Sequence, residues 1–597
     1  MAKPLWLARL GMFALLLPAP ALVVAQDSDS QSVPANVPSG PPMTVRGVVT
    51  NSATGEPLAR VLVRIEGDAD AGVLTNGDGQ FAIPHVPVGP QTIRLLKPGY
   101  RDRPYATEEV DAQSDGPAHN VLVAPKMQDL GFMLTPTGAI HGHIELSTGD
   151  PAGSIPVVLV KQVVRSGRAV WAQAATTRTN GDGAYRFPGL PDGVYAIYTE
   201  PVLESEPAVT VVAPGSAGNV ARNGYPIVFY PAAREFSSAM RIRLPIGEQA
   251  QADLSLTLEA FHTVTATAAL PNGRQFAAGL GAEGRSEQPT VTVSVLDAGG
   301  HRLPYTGQFD AVTGTVQADL PDGIYTLQVG ATLNQPAAGS TGAGAKDGKI
   351  LLSGIAEFSV DGHAVTGLHI PLAPTPSWPI QLRAVHTAPR PVQSNAASGQ
   401  GLQNVVTVSA TAAGEIPMSG SSESTIAEAA GPDQLDLIGA GFGPLWINVL
   451  INDRSYCVDS FTAGGINLAR DPLTISPTAT PIPMELTLRD DCAQLTLQLP
   501  PSLSSFIPGD EPFYTVYVVP DFDSPADLPP MTIHASSGGN LTLGGLTPGR
   551  YHVYVFDVPM RLEYRNSSAL ASLPTQGQSV TLSPGATSNL ILEAPGQ

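Results

Sequence analysis

The run His141-Gly142-His143-Ile144-Glu145 sets two imidazoles and a carboxylate at alternating positions. On a strand, alternate side chains share one face, about 7 Å apart. Two imidazoles and a carboxylate so placed could hold a zinc ion. In the simpler reading, Ile140, Gly142, Ile144 and Leu146 face a core and the polar trio is the wet side of the strand. The simpler reading is adopted: no catalytic residue, metal or cofactor is expected, and His141, His143 and Glu145 stay as candidate ligands.

Three other sets of residues could do chemistry. Asn-Gly-Asp-Gly occurs at 76–79 and at 180–183. It resembles the start of a calcium loop but lacks the further acidic ligands and closing Glu that a hard cation needs. A hairpin turn is the expected role. Tyr195 and Tyr198 differ in strand parity, as do Tyr551 and Tyr554. One of each pair is expected to face outward, where a ring could stack on a sugar. Cys457 and Cys492 are the two cysteines; in an exported chain the expectation is a disulfide closing a loop of about 35 residues. The sequence contains no His-x-x-Glu zinc pair, no Gly-x-Ser-x-Gly elbow and no phosphate-cradling glycine loop before a helix.

The elements that must position these residues are strands and tight turns. Residues 179–198 read as strand, turn, strand, turn, strand. Asn180-Gly181-Asp182-Gly183 tolerates the positive φ of a hairpin. Tyr185 and Phe187 alternate with polar or small residues, and Leu190-Pro191-Asp192-Gly193 turns the chain into Tyr195 and Ile197. Residues 75–93 repeat this run without a gap, Gly89 matching Gly193 and Gly79 matching Gly183. Leu320 to Leu327, with Gly323, and Leu546 to Val553, with Gly549, repeat its second half. A fainter copy lies at Gly443 to Ile447. A spacing near one hundred residues is too long for a solenoid and fits whole sandwich domains in tandem.

Six motifs in the first copy carry a family resemblance. They are Val45-Arg46-Gly47-Val48-Val49, Thr54-Gly55-Glu56-Pro57-Leu58, Val61-Leu62-Val63-Arg64-Ile65, Thr75 to Phe81, Pro87-Val88-Gly89 and Lys97-Pro98-Gly99-Tyr100. In this order they resemble the carboxypeptidase regulatory-like domain, a transthyretin-like sandwich grouped with carbohydrate-binding-like folds. The resemblance departs at Pro90, where an apolar or aromatic residue usually opens the strand. It implies an accessory module, found beside the catalytic domain in metallocarboxypeptidases and in tandem on bacterial envelope proteins.

The chain has 597 residues, with 61 Gly, 57 Pro, 43% hydrophobic and only 14% charged residues. That composition excludes disorder throughout and favours turn-rich β structure. The net charge of −20 argues against nucleic acid and anionic membranes as partners. Lys3 and Arg9, the apolar run Leu10 to Leu17 and the small-residue site before Gln26 read as an export signal, so the mature chain is expected in the periplasm, on the outer surface or outside the cell. No later stretch is long and apolar enough to span a bilayer.

The expected organisation is all-β: signal 1–25, leader 26–42, and antiparallel sandwiches at 43–134, 135–258, 259–373, 374–492 and 493–597. Within the second, Tyr225 to Leu256 reads as a recurring spacer. Residues 334–348 and 388–403 read as loops, and Ser424 to Ala430 as one short helix. The expected function is that of a non-catalytic envelope protein of structural or adhesive modules. A carbohydrate-binding protein and an accessory to a separate peptidase or transporter are the alternatives, with glycans or envelope proteins as partners.

Overall fold

The structure is a computed structural model. It describes residues 40–67, 72–102, 119–204, 222–273, 276, 289–335, 348–385, 401–413, 425–439, 443–476, 480–500, 513–526, 531–534, 540–556 and 561–593. The signal, most of the leader and much of both expected loops lie outside these residues.

One strand arrangement recurs five times. An opening strand pairs antiparallel with the strand after the first turn and parallel with the strand that closes the unit. Met43–Asn51 lies between Gln80–Val86 and Leu130–Pro136. Gly138–Leu146 lies between Ala184–Leu190 and the pieces Gln249–Gln251 and Leu254–Leu256. Glu259–Ala269, Ser377–Val385 and Ala493–Gln498 repeat the pattern with Thr315–Leu320 and Val365–Pro371, Gln434–Ile438 and Met484–Arg489, and Asn540–Leu546 and Thr587–Ile591. The facing sheet is built each time on an antiparallel pair whose second member follows the second turn. Leu62–Ile65 with Gly89–Leu96 and Pro156–Arg165 with Gly193–Thr199 are two examples. Gly323 and Gly549 likewise open Gly323–Gln335 and Gly549–Phe556. The fold is all-β.

Strict alternation fills the space between the sheets. Val45, Val49, Val61, Val63, Ile83, Ile93 and Val123 are buried in the first core, and Ile140, Ile144, Val157, Leu159, Tyr195 and Ile197 in the second. Burying each such side chain is worth about 1.5–3 kcal/mol, which orders strands too short to be stable alone.

Three sequence expectations change. The helix expected over Ser424 to Ala430 is two short strands, Ser424 lying outside the described residues: Thr425–Ile426 pairs with Val406–Ala412, and Glu428–Gly431 with Gln434–Ile438. The Ala/Glu content favours helix only weakly, and sheet pairing overrides it. The Tyr225 to Leu256 run is not a spacer. Val228–Phe229 pairs with Tyr198 and Thr199, Ile242–Leu244 pairs with Gly193 to Tyr195, and Leu254–Leu256 closes the sandwich. Val202–Leu203 and Arg222–Tyr225, inside 135–258, extend the sheet of Glu259–Ala269. Correspondingly, one continuous core runs from Val158, Val160 and Tyr198 through Phe229 and Phe236 to Phe261, Leu320 and Leu327. Among the described residues the one α-helix is the short Ser567–Ala571, capped by Asn566, whose Oδ1 accepts the amides of Ser568 and Ala569. Among the described residues no helix is long and apolar enough to cross a membrane.

Candidate functional site

The strand Gly138–Leu146 sits inside its sheet, so both edges are hydrogen-bonded. Ile140, Gly142 and Ile144 face the core, as the simpler reading requires. Gly142 has no room for a side chain, because Ala252 O lies where a Cβ would be. The three polar residues share a face but not an environment. His143 and Glu145 are exposed, whereas His141 is partly buried and its Nδ1 has no hydrogen-bond partner.

Asp253 lies beside His143. Its Oδ1 accepts the His143 backbone amide at 2.8 Å, and its Oδ2 accepts Gln251 Nε2 at 2.7 Å. The His143 ring is 4.0 Å from the same carboxylate, with both side chains about half exposed. His143, Glu145, Asp253 and Pro231 line an open surface hollow. Beneath it, the Tyr185 hydroxyl donates to Ala252 O. Burial first, and the Asp253 charge second, push that hydroxyl above the usual phenol range. Among the described residues no group of three or more His, Cys, Asp or Glu side chains is placed to hold a metal ion. The hollow is a polar rim in which Asp253 ties the closing segment to the opening strand.

Both Asn-Gly-Asp-Gly runs are hairpin turns whose Asn oxygen is occupied by backbone. Asn180 Oδ1 accepts the amides of Asp182 at 3.0 Å and Ala184 at 2.9 Å; Asn76 Oδ1 accepts those of Asp78 at 3.0 Å and Gln80 at 2.8 Å. An oxygen holding two N–H groups is oriented away from cation duty. The turns also carry a buried threonine that the sequence reading missed. Thr75 Oγ1 donates to Leu58 O at 2.6 Å and accepts the Val61 amide at 2.9 Å. Thr179 Oγ1 repeats this with Ala152 O at 2.6 Å and the Ile155 amide at 2.9 Å. The shared Thr before Asn-Gly-Asp-Gly was the available signal.

The third unit has the same turn in a different spelling. Asp310 Oδ1 accepts the Val312 amide, Gly314 has φ of 70°, and Gly314 O accepts the Ala268 amide as Gly79 O accepts that of Val49. One extra residue hid this copy from a gap-free match.

The tyrosines overturn the expectation of outward rings. Tyr195, Tyr198, Tyr551 and Tyr554 are all buried, at 0%, 1%, 3% and 5% exposure. Their parities do differ, but both faces of each sheet are covered. Tyr195 fills the second core, while Tyr198 enters the continuous core beside Phe229. Tyr551 fills the fifth core, and Tyr554 packs outside it against Leu562 and Tyr564. The hydroxyls of Tyr195 and Tyr551 donate to the carbonyls of Pro191 at 2.7 Å and Thr547 at 2.6 Å, four residues upstream in each case. This resembles the tyrosine corner of other sandwiches. Among the described residues whose burial is given, each Phe, Tyr and Trp is buried or half-buried.

Cys457 and Cys492 are joined by a disulfide, with their Cα atoms 5.8 Å apart. Cys457 opens Cys457–Ala463, and Cys492 directly precedes Ala493–Gln498. Beside the bond, Arg489 makes a bidentate pair with Asp491, at 2.5 Å and 2.7 Å. Hydrogen bonding to that guanidinium holds the Asp491 carboxyl below its usual range.

The fold and these turns define a protein of repeated, mainly antiparallel β-sandwiches, each with one parallel pairing at its opening strand. Residues 44–123 match the family model of the carboxypeptidase regulatory-like domain, so the chain carries that domain at its first sandwich. No curated protein matches the chain. Similar solved structures include the Bacillus anthracis TIE protein, at 12% identity over 56% of this chain and 51% of that one, with a TM-score of 0.15. This chain thus spans about half the length of that protein. A Streptococcal ancillary pilin matches at 12% identity over 55% of this chain and 99% of its own, with a TM-score of 0.18. GBS52, the minor pilin of Streptococcus agalactiae, matches at 14% identity over 36% and 95%, with a TM-score of 0.17.

Proposed function

We propose that this chain is a non-catalytic, exported envelope or surface protein whose sandwiches act as structural or adhesive modules. One observation carries the reading: three of the four residue sets that could do chemistry are engaged in holding the fold. The turn asparagines bind backbone amides, the paired tyrosines fill cores, and the cysteines are bonded to each other. The disulfide supports an oxidising location, since cytosolic thiols are kept reduced. The regulatory-like domain at 44–123 supports an accessory role, as in proteins where that module accompanies a function without performing it.

The experiment is fractionation of the producing cells with thiols alkylated before lysis. The proposal expects the chain in the envelope or medium, beginning near Gln26, with Cys457 and Cys492 protected from alkylation. A cytosolic chain that retains Met1 and has both cysteines alkylated would overturn it.

A further inference from the structure

The hairpin formed by Pro156–Arg165 and Arg168–Arg178 reaches residues almost four hundred positions away. Its tip is the two-residue turn Ser166-Gly167, with φ of 47° and 72°. The Arg565 backbone amide donates to Gly167 O at 3.0 Å, and Arg565 Nε donates to Ser166 O at 3.0 Å. The rest of that guanidinium donates to the carbonyls of Ala469 at 3.3 Å, Ser524 at 2.6 Å and Ala526 at 2.8 Å. The Tyr564 ring lies so close to Gly167 that a Cβ there would come within 2.5 Å of it. On the other side of the tip, Arg168 lies over the Trp446 ring at 3.8 Å and donates to Ala469 O at 3.0 Å. The tip therefore sits in a notch where the sheets of residues 377–489 and 493–591 meet. That notch is closed by a Val449–Ala526 bridge and by a bond from Thr547 Oγ1 to Val458 O at 2.7 Å.

The two groups of sheets that these contacts join are also linked by a short connection in the chain. Residues 138–374 hold together through one continuous core and a shared sheet. Residues 377–593 hold together through the bridge, the threonine bond and the disulfide-stapled junction. Only Thr375-Pro376 lies between the last strand of the first body, Ala373–Pro374, and the first strand of the second, Ser377–Val385.

We propose that the 165–168 turn is a latch that closes these two bodies on each other about the Thr375-Pro376 connection. Opening it breaks no strand ladder; it parts Arg565 from Ser166 and Gly167, and Arg168 from the Ala469 carbonyl and the Trp446 ring. It would bare the Trp446 and Tyr564 rings, so the closed form masks an aromatic surface that the open form presents. Local openings of this kind draw on the least protected contacts of a fold while the ladders stay intact.

Small-angle scattering and hydrogen exchange on the full chain test this. Native protein is expected to be compact, with the Arg565 amide protected. Arg168→Ala/Arg565→Ala should enlarge the radius of gyration and speed exchange of the amide at position 565 about ten-fold or more. Exchange in the Pro156–Arg165 and Gly193–Thr199 ladder should be unchanged. Because Arg565 also holds Ser524 and Ala526 within its own body, Arg168→Ala alone is the second variant. It should shift both readings in the same direction with an unchanged melting profile. A native chain as extended as the double variant, or Arg168→Ala with native size and native exchange at Arg565, would overturn the latch.

Discussion

Gly183 lies directly beneath Ile144: a Cβ on Gly183 would sit 2.5 Å from the Ile144 carbonyl oxygen. Its φ of 74° adds a second reason for glycine, and Gly79 repeats both features, with φ of 70° and Val49 O at 2.5 Å. The carbonyl cannot move aside, because it accepts the Ala152 amide that sets the sandwich's opening turn. Gly183→Val should destabilise the second sandwich by about 1–3 kcal/mol or more, the scale of left-handed strain with a clash added. Calorimetry checks this; an unchanged transition would contradict it.

Thr179 gives a sharper test because its partners are buried backbone groups. Thr179→Val keeps the shape but leaves the Ile155 amide and the Ala152 carbonyl without their hydroxyl. The expected loss is about 1–3 kcal/mol, with Thr179→Ser near native. Denaturant melts of the two variants separate loss of the hydrogen bonds from loss of the methyl group.

Tyr198 belongs to the core that joins residues 156–244 to 259–373. Tyr198→Ala should cost about 3–5 kcal/mol and broaden the unfolding of both regions together. If only one transition moved, the shared core would not couple them.

Asp491 supplies a pH dependence of known sign. Its carboxyl is held low by the Arg489 hydrogen bonds, so the folded pKa lies below the unfolded one. The contribution is present above the ordinary carboxylate value near 4 and is lost as pH falls through the lower folded value. The melting difference between native protein and Asp491→Asn should be full at neutral pH and vanish in strong acid. A difference that persisted unchanged in acid would contradict the pairing.

Most of the fold was legible because period-two alternation and glycine turns are local signals. Asn180 to Gly183 announced its own hairpin, and Val61, Val63 and Ile65 their own buried face. What failed depended on distant partners. Residues 425–431 look helical until Val406–Ala412 offers them a sheet. Tyr198 and Tyr554 have the parity of outward residues, and only the second layer of packing covers them. Nothing near Arg565 in sequence points to Ser166. The candidate His141, His143 and Glu145 could be placed on one face, but not their unequal burial, which depends on what lies over that face.

The trio also gives the most direct measurement of whether this chain is non-catalytic. The purified protein, with and without added zinc, is incubated with peptides carrying free C-termini, beside the variant His141→Ala/His143→Ala/Glu145→Ala. Titration calorimetry follows zinc on both. The expected result is no stoichiometric zinc uptake and no release of C-terminal residues by either protein. Zinc bound one to one and C-terminal residues released, both lost in the triple variant, would contradict the account.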